Sequence, residues 1–360
     1  MRRRRTSITI CLAFGIWTLA AGSFANAQSQ DLAFSRNART FETQNSSLIQ
    51  KGLALSCLTM LDSPDALPCN PAFTTLEKKG GLQIELQLSN GYNNLEKVRT
   101  LLSGSPNADF LNSLFANSNV LQIEAAGTLL FKSKYLNGSY TPMSVKGFAA
   151  IRNEANPDVD IYAVQSQGFE FQSGFQPYQH FYAGVQTRFE NRKYIRKRFK
   201  LAELGTADGQ KLLEPQAQTA TYIEPSISYI APSRWHPRAT LMIANLGFVS
   251  PQTSDLPTPV QAQAGIGISP PLVWGVLELS LEYRGMNYEE TPLERLRAGA
   301  LYRFGSMYLT GGVDANGLSG GVFYTIDSLN AGIIYSTTRF VNEDQGFYTQ
   351  TVYVQLGYQI

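Results

Sequence analysis

Leu82-Gln83-Ile84-Glu85-Leu86-Gln87-Leu88 puts every apolar side chain at an even position and every polar one at an odd position. Successive side chains of an extended strand point to opposite faces, so this stretch has one wholly apolar face and one wholly polar face. The pattern returns along the chain. Phe181, Ala183, Val185 and Phe189 alternate with Tyr182, Gly184, Gln186, Arg188 and Glu190; Leu277, Leu279, Leu281 and Tyr283 oppose Glu278, Ser280, Glu282 and Arg284. Leu296, Ala298, Ala300, Tyr302 and Phe304 oppose Arg295, Arg297 and Arg303. Turn residues between such runs set the predicted strands at 82–90, 134–141, 144–152, 158–168, 179–191, 221–231, 238–248, 260–269, 275–285, 295–304, 306–314, 317–327, 329–338 and 347–360. That is about 14 strands, an even number suited to a bacterial barrel whose ends share one side.

The polar faces decide between two architectures. In a soluble sandwich or propeller they would meet water and carry charge, yet here they are mainly Gln, Ser, Thr, Asn, Tyr and Gly. Charged residues make up 16% of the 360, where a soluble domain carries about 25%. A transmembrane antiparallel β-barrel turns apolar side chains to lipid and polar ones to the lumen, and needs little charge. The fold class is therefore all-β, an outer-membrane barrel. With 43% hydrophobic residues, 20 Phe and 18 Tyr the chain is not disordered, and without a basic excess it is no nucleic-acid binder. Interfacial aromatic girdles are expected at Tyr178, Tyr222, Tyr229, Tyr288, Tyr302, Phe340, Phe347 and Tyr348.

The N-terminus reads as an export signal at residues 1–27. Arg2 to Arg5 form a basic region, an apolar run follows from Ile8, and Ala25-Asn26-Ala27 offers a small-x-small cleavage site. The apolar run is shorter than the roughly 20 residues of a spanning helix. Removing it takes four of the 30 basic residues and none of the 28 acidic ones, leaving 26 against 28. The apparent +2 charge thus belongs to the signal. Cys57 and Cys69 remain, in an oxidising compartment. A disulfide closing this short loop is expected, with two buried thiols as the alternative.

Residues 28–79 show no strand pattern and form an N-terminal segment ahead of the barrel at 80–360. A short helical insertion is expected near 93–117, in two pieces at 93–103 and 107–117. Residues 120–131 fit either a strand or an amphipathic helix. At the C-terminus Val352, Val354, Leu356, Tyr358 and Ile360 share one face, resembling the last strand that barrel-assembly machinery recognises, although Ile replaces the usual terminal aromatic.

Just before the first strand stands Asp62-Ser63-Pro64-Asp65-Ala66-Leu67-Pro68-Cys69-Asn70-Pro71-Ala72-Phe73. It resembles the acidic-Ala-Leu-x-x-Asn-Pro-Ala signature of the FadL-like outer-membrane barrel superfamily, to which PorV-like and TraF-like barrels are related. The Arg152-Asn153 strand end and Ile243-Ala244-Asn245-Leu246-Gly247 are similar in order too. The resemblance implies that the N-terminal segment folds inward as a plug containing Asn70, Pro71 and Ala72, with Pro71 fixing a turn and Asn70 bonding backbone groups. Cys69 and Phe73 depart from the family pattern, so that a disulfide would fix this plug.

No catalytic or metal constellation emerges. His180 and His236 are far apart in sequence and lack a triad-like setting, and no cofactor is called for. Gly311-Gly312 and the glycines of 317–321 suit close backbone packing better than a phosphate cradle. Two charged groupings stand out. Arg192, Lys193, Arg196, Lys197, Arg198 and Lys200 could meet an anion, lipopolysaccharide phosphates or a partner, or extend a strand into solvent. Glu278, Glu282 and Arg284 share one lumen face and Arg295, Arg297 and Arg303 the next, a charge ladder that would stiffen the wall.

The expected function is that of a non-enzymatic barrel in the outer membrane of a Gram-negative bacterium, passing or binding a small hydrophobic molecule. Its surroundings would be outer-membrane lipid and lipopolysaccharide. The alternative is a PorV- or TraF-like barrel that anchors or assists an exported protein.

Overall fold

The computed structural model describes residues 47–360 except 62–66, 77–79, 105–109, 111–119, 153–157, 201, 204–210, 212, 254–255, 257, 287–291, 316 and 342–345. The expected export signal and the helical piece at 107–117, apart from Phe110, lie outside the described residues. Residues 43–340 and 346–360 form one unit.

Strands dominate it. They are β1 Gly81–Ser89, β2 Val120–Lys132, β3 Leu136–Arg152, β4 Asp158–Tyr178, β5 Phe181–Lys200 and β6 Gln216–Ile230. β7 runs through Arg238–Ala244 and Leu246–Ser250, and β8 through Gln261–Ile268 and Pro271–Leu272. The rest are β9 Gly275–Arg284, β10 Leu296–Phe304, β11 Met307–Asp314, β12 Gly317–Ile326, β13 Leu329–Val341 and β14 Gly346–Gln359. β7 and β8 each count once because both their halves pair with the same neighbour. Asn245, with φ +59°, separates the halves of β7. The fourteen strands follow one another antiparallel, and β1 pairs with β14 through Gln83↔Gln359 to Ser89↔Tyr353, closing the barrel without an edge.

The number of strands agrees with the sequence, although the segments differ. Residues 134–141 and 144–152 are one strand, broken in register by a bulge at Pro142, which has no N–H to give the ladder. The ambiguous stretch 120–131 is β2. These two differences cancel in the total.

Burial confirms the inverted faces. Leu82, Ile84 and Leu86 are 43–50% exposed while Gln83, Glu85 and Gln87 are at most 5% exposed. Phe169, Phe171, Phe189, Ile223, Ile227, Leu279, Leu281, Val322, Ile333, Val354 and Leu356 continue the apolar exterior around the ring. Tyr178 and Tyr229 stand exposed near strand ends as expected of a girdle, and Tyr302 donates to the Trp274 carbonyl. Tyr222 does not belong there. It is fully buried on the lumen face, against the Arg188 guanidinium. Tyr288 and the side chains of Phe340, Phe347 and Tyr348 are outside the described set.

The two ends differ. Connections 133–135, 179–180, 231–237, 273–274, 305–306 and 327–328 are short and share an end with the start of β1 and the finish of β14. Of the seven connections at the other end, 90–119, 201–215, 251–260 and 285–295 are long, and 153–157, 315–316 and 342–345 are short. Outer-membrane barrels keep short turns on the periplasmic side and long loops outside.

β4 and β5 have 21 and 20 residues, twice what a tilted strand needs to span lipid. Their ends stand clear of the membrane on the long-loop side, carrying the outward apolar stripe with them. Val159, Ile161 and Ala163 are in phase with outward Phe169, and Ile195 and Phe199 with outward Phe189. Helix α2, Leu95–Ser103, covers this stripe with Val98, Leu101 and Leu102, capped by Gly104 at φ +89°. Thus a surface that lipid no longer reaches is closed by a helix inserted between β1 and β2.

Candidate functional site

Inside the ring lie residues 47–61 and 67–76. Helix α1, Leu48–Gly52, opens the first of these, its N-terminus closed by a capping box between Ser47 and Gln50. Its apolar face, Leu48, Ile49 and Leu53, packs with Met60 against lumen-facing Leu301, Tyr308, Phe323, Ile334 and Tyr353. Lys51 reaches Glu124 at 2.8 Å and Gln87 at 3.2 Å, and lies over the Tyr353 ring. Burial lowers the affinity of the Lys51 ammonium for its proton, against the pull of Glu124.

From residue 53 to 59 the segment follows a row of small residues across five strands. In register these are Gly267 of β8, Ser280 of β9, Gly299 of β10, Gly312 of β11 and Ser319 of β12. A Cβ on Gly312 would stand 2.1 Å from the Leu53 carbonyl carbon, one on Gly299 2.7 Å from Ser56 O, and one on Gly267 2.4 Å from Thr59 Oγ1. The serines bond the same segment. Ser319 Oγ receives the Ala54 N–H at 2.9 Å and donates to the Gly52 carbonyl at 3.1 Å, while Thr59 bonds Ser280 Oγ at 2.7 Å. Glycine here is required by the approach of a second backbone.

A buried ion pair clamps the next turn. Arg238 and Glu278 meet at 2.9 Å with both side chains at most 4% exposed. Arg238 also donates to the Thr59 carbonyl, and Glu278 accepts the Leu61 N–H at 2.7 Å. Glu282 accepts the Leu58 N–H, and Arg284 bonds both Glu282 and the Leu55 carbonyl. The carboxylates of the expected ladder therefore turn to the inner segment. The cross-strand partner of Glu278 is Leu301, and that of Val276 is Arg303; Glu282 and Arg297 do face each other in register.

Cys57 and Cys69 form a disulfide with Cα atoms 5.7 Å apart, joining this region to Asn70-Pro71-Ala72. Residues 62–66 between them are outside the described set. Asn70 is fully buried: its amide donates to Ser228 Oγ at 2.7 Å and Thr240 Oγ1 at 3.3 Å, and its carbonyl accepts the Ala72 N–H at 3.0 Å. Pro71 begins a 3-10 turn over a second small row, Gly174, Gly184 and Ser226 of β4, β5 and β6. Above it runs a polar chain that sequence reading missed. Gln172 donates to Gln186 and to the Pro68 carbonyl, Gln186 to Glu224, and Glu224 accepts the Asn245 N–H, with Arg188 bonding Asn245 Oδ1 at 2.8 Å. The available signal was the polar phase Tyr222, Glu224, Ser226, Ser228 along β6.

The basic run divides between two faces. Arg192 pairs with Glu190 at 2.6 Å, Arg198 with Asp160 at 2.8 Å, and Arg196 is buried; these share the lumen phase. Lys193 is exposed in the outward phase, Lys197 shares that phase, and Lys200 ends the strand. The six do not form one patch. His180 and His236 occupy separate turns at φ +68° and +43°.

One depression of about 250 Å³ opens in the wall of β3 to β6. Tyr140, Phe169, Phe189, Asn191, Thr219 and Thr221 line it from the outward phase, and Gly168, Glu190 and Ala220 from the inward phase. Tyr140 and Phe169 stack at 4.4 Å between ring centres.

No protein-family model matches the sequence, and no curated protein matches it. Among solved structures, the Ralstonia pickettii toluene transporter TbuX is 12% identical at a TM-score of 0.52, over 89% of this chain and 99% of that one. The Pseudomonas putida toluene transporter TodX is 9% identical at 0.49, over 88% and 98%, and the CymD monoaromatic hydrocarbon channel 10% identical at 0.46, over 86% and 96%. The likeness to TbuX shows the fold, a closed antiparallel β-barrel like that transporter's.

Proposed function

We propose that this barrel binds and passes a small hydrophobic molecule through the outer membrane, with the N-terminal segment 28–79 acting as its plug. The observation that carries this reading is the wall depression, where lipid-facing aromatic rings adjoin lumen-facing small residues. Its volume of about 250 Å³ suits a small solute, being just below the range of pockets for drug-sized ligands. Tyr140, Phe169 and Phe189 offer apolar ring surface, and Gly168, Ala220 and Glu190 border it from the inward phase of a continuous strand ladder. An anchored segment in the lumen leaves water little direct passage, so that an apolar solute gains from a route along the wall. TbuX, which shares this fold, is a toluene transporter, and toluene is of suitable size for the depression.

The test is equilibrium binding of toluene to the full chain in detergent micelles, with uptake into liposomes alongside. Saturable binding weakened by Phe169→Ser or Gly168→Leu supports the reading. Uptake equal to that of protein-free liposomes, with no saturable binding, removes it.

A further inference from the structure

Arg295 ends the short helix Pro292–Arg295, and Arg297 follows as the second residue of β10. Outward Leu296 separates them, so both stand in the lumen phase at the long-loop end. Arg295 is 7% exposed, and its Nε and Nη2 meet no hydrogen-bond acceptor among the described residues; neither does Nη1 of Arg297. Removing a guanidinium from water without giving its N–H groups acceptors is strongly unfavourable. Two neighbouring carboxylates have other engagements. Glu282, opposite Arg297, accepts the Leu58 N–H, Ser280 Oγ and Arg284. Asp314, opposite Arg297 on β11, accepts the Gly317 N–H at 2.8 Å, and Glu294 adjoins Arg295 in the chain. Arg284, the third guanidinium of the group, binds Glu282 and the Leu55 carbonyl.

We infer that Arg295 and Arg297 form an oxyanion site in the outer mouth of the lumen, taking a carboxylate or phosphate group of a small solute. Two guanidiniums two residues apart on one face present planar N–H forks, which match two-oxygen anions better than they match halides. The site adjoins the inner segment, because Ser56 Oγ bonds the Arg297 carbonyl and Arg284 holds Leu55. An anion there would neutralise the cationic edge beside the segment's turn at Ala54 and Leu55, whose φ values are +50° and +64°. The site is separate from the wall depression of β3 to β6 and does not depend on the route proposed for apolar solutes.

Calorimetric titration of the full chain in zwitterionic detergent with inorganic phosphate and with benzoate tests the site. Stoichiometric binding of either anion is expected, weakened at least tenfold by Arg295→Gln and by Arg297→Gln and unaltered by Lys193→Gln. Tighter binding of benzoate identifies a carboxylate ligand, and tighter binding of phosphate a phosphate-bearing one. Arg295→Lys and Arg297→Lys keep the charge without the fork, and lesser losses are expected from them if the glutamine variants do not fold. Absence of binding of both anions, or binding that the arginine variants leave intact, overturns the inference. Toluene binding by the same samples is expected to be unchanged, which separates failure of this site from failure of the apolar route.

Discussion

The backbone of Pro71 occupies the space that a side chain on Gly184 would need: an added Cβ would lie 2.3 Å from the Pro71 carbonyl carbon. Gly184→Ala therefore forces the inner segment off the wall or bends β5, at a cost of about 1–3 kcal/mol. Faster proteolysis within residues 47–76 is expected while the barrel itself still migrates as a folded band on unheated gels. Unchanged proteolysis would show that the contact is slack.

Asn70 uses both ends of its amide in a fully buried position. Asn70→Ala leaves Ser228, Thr240 and the Ala72 N–H with fewer partners, costing about 1–3 kcal/mol. Asn70→Asp is expected to be worse near neutral pH, since a carboxylate cannot donate to the two hydroxyls and is buried as a charge. Thermal unfolding of the three proteins orders them, and an aspartate variant as stable as the parent contradicts the geometry.

Arg238 and Glu278 give an asymmetric prediction. Arg238→Met strands a buried carboxylate and is expected to cost about 3–5 kcal/mol, whereas Arg238→Met with Glu278→Met recovers part of that loss. Denaturant midpoints provide the readout. If the double variant is no better than the single one, the bonds from this pair to Thr59 and Leu61 outweigh the stranded charge.

The exterior offers a test of the inverted pattern. Leu86→Arg puts a cation on the lipid face of β1 and is expected to destabilise the barrel by about 2–4 kcal/mol at mid-bilayer depth. Refolding yield into lipid vesicles, followed by the heat-modifiable band, is the measurement. A parent-like yield would mean that β1 does not face lipid there.

The disulfide joins cysteines 12 positions apart in sequence, for which chain-entropy arguments give about 3 kcal/mol. Cys57→Ser with Cys69→Ser should lower the unfolding temperature and loosen Asn70 before it loosens the wall. Maleimide is expected to label the denatured parent, freed of residues 1–27 and so of Cys11, only after reduction.

The exterior was legible because lipid imposes one rule on every strand, and Leu82 to Leu88 obeys it without exception. Segment limits were less so. Pro142 read as a break, yet strand pairing on both sides carries β3 through it, and the Ala125-Ala126-Gly127 run hid β2 because small residues fit either period. Tyr222 was misplaced since an aromatic near a strand end can face either side. Within the lumen the cysteine pair was visible, but the partners of Asn70 were not: Ser228 and Thr240 lie 158 and 170 positions away, and only the closed ring brings them near. The charge ladder was half visible, for alternation gave Glu278 its face but could not announce Arg238, which arrives from β7.

Gly267, Ser280, Gly299, Gly312 and Ser319 line up only when five consecutive strands hold their native register. A slip of one residue in any of them exchanges its faces, presenting a lipid-side chain such as Leu279 or Val313 where the inner segment must lie. A slip of two puts Glu278, Leu301 or Thr310 in the groove instead. Seating of the segment thus reports on assembly, accepting a correctly paired wall and rejecting a mispaired one. The seated inner segment is thereby a gauge of the strand alignment around it.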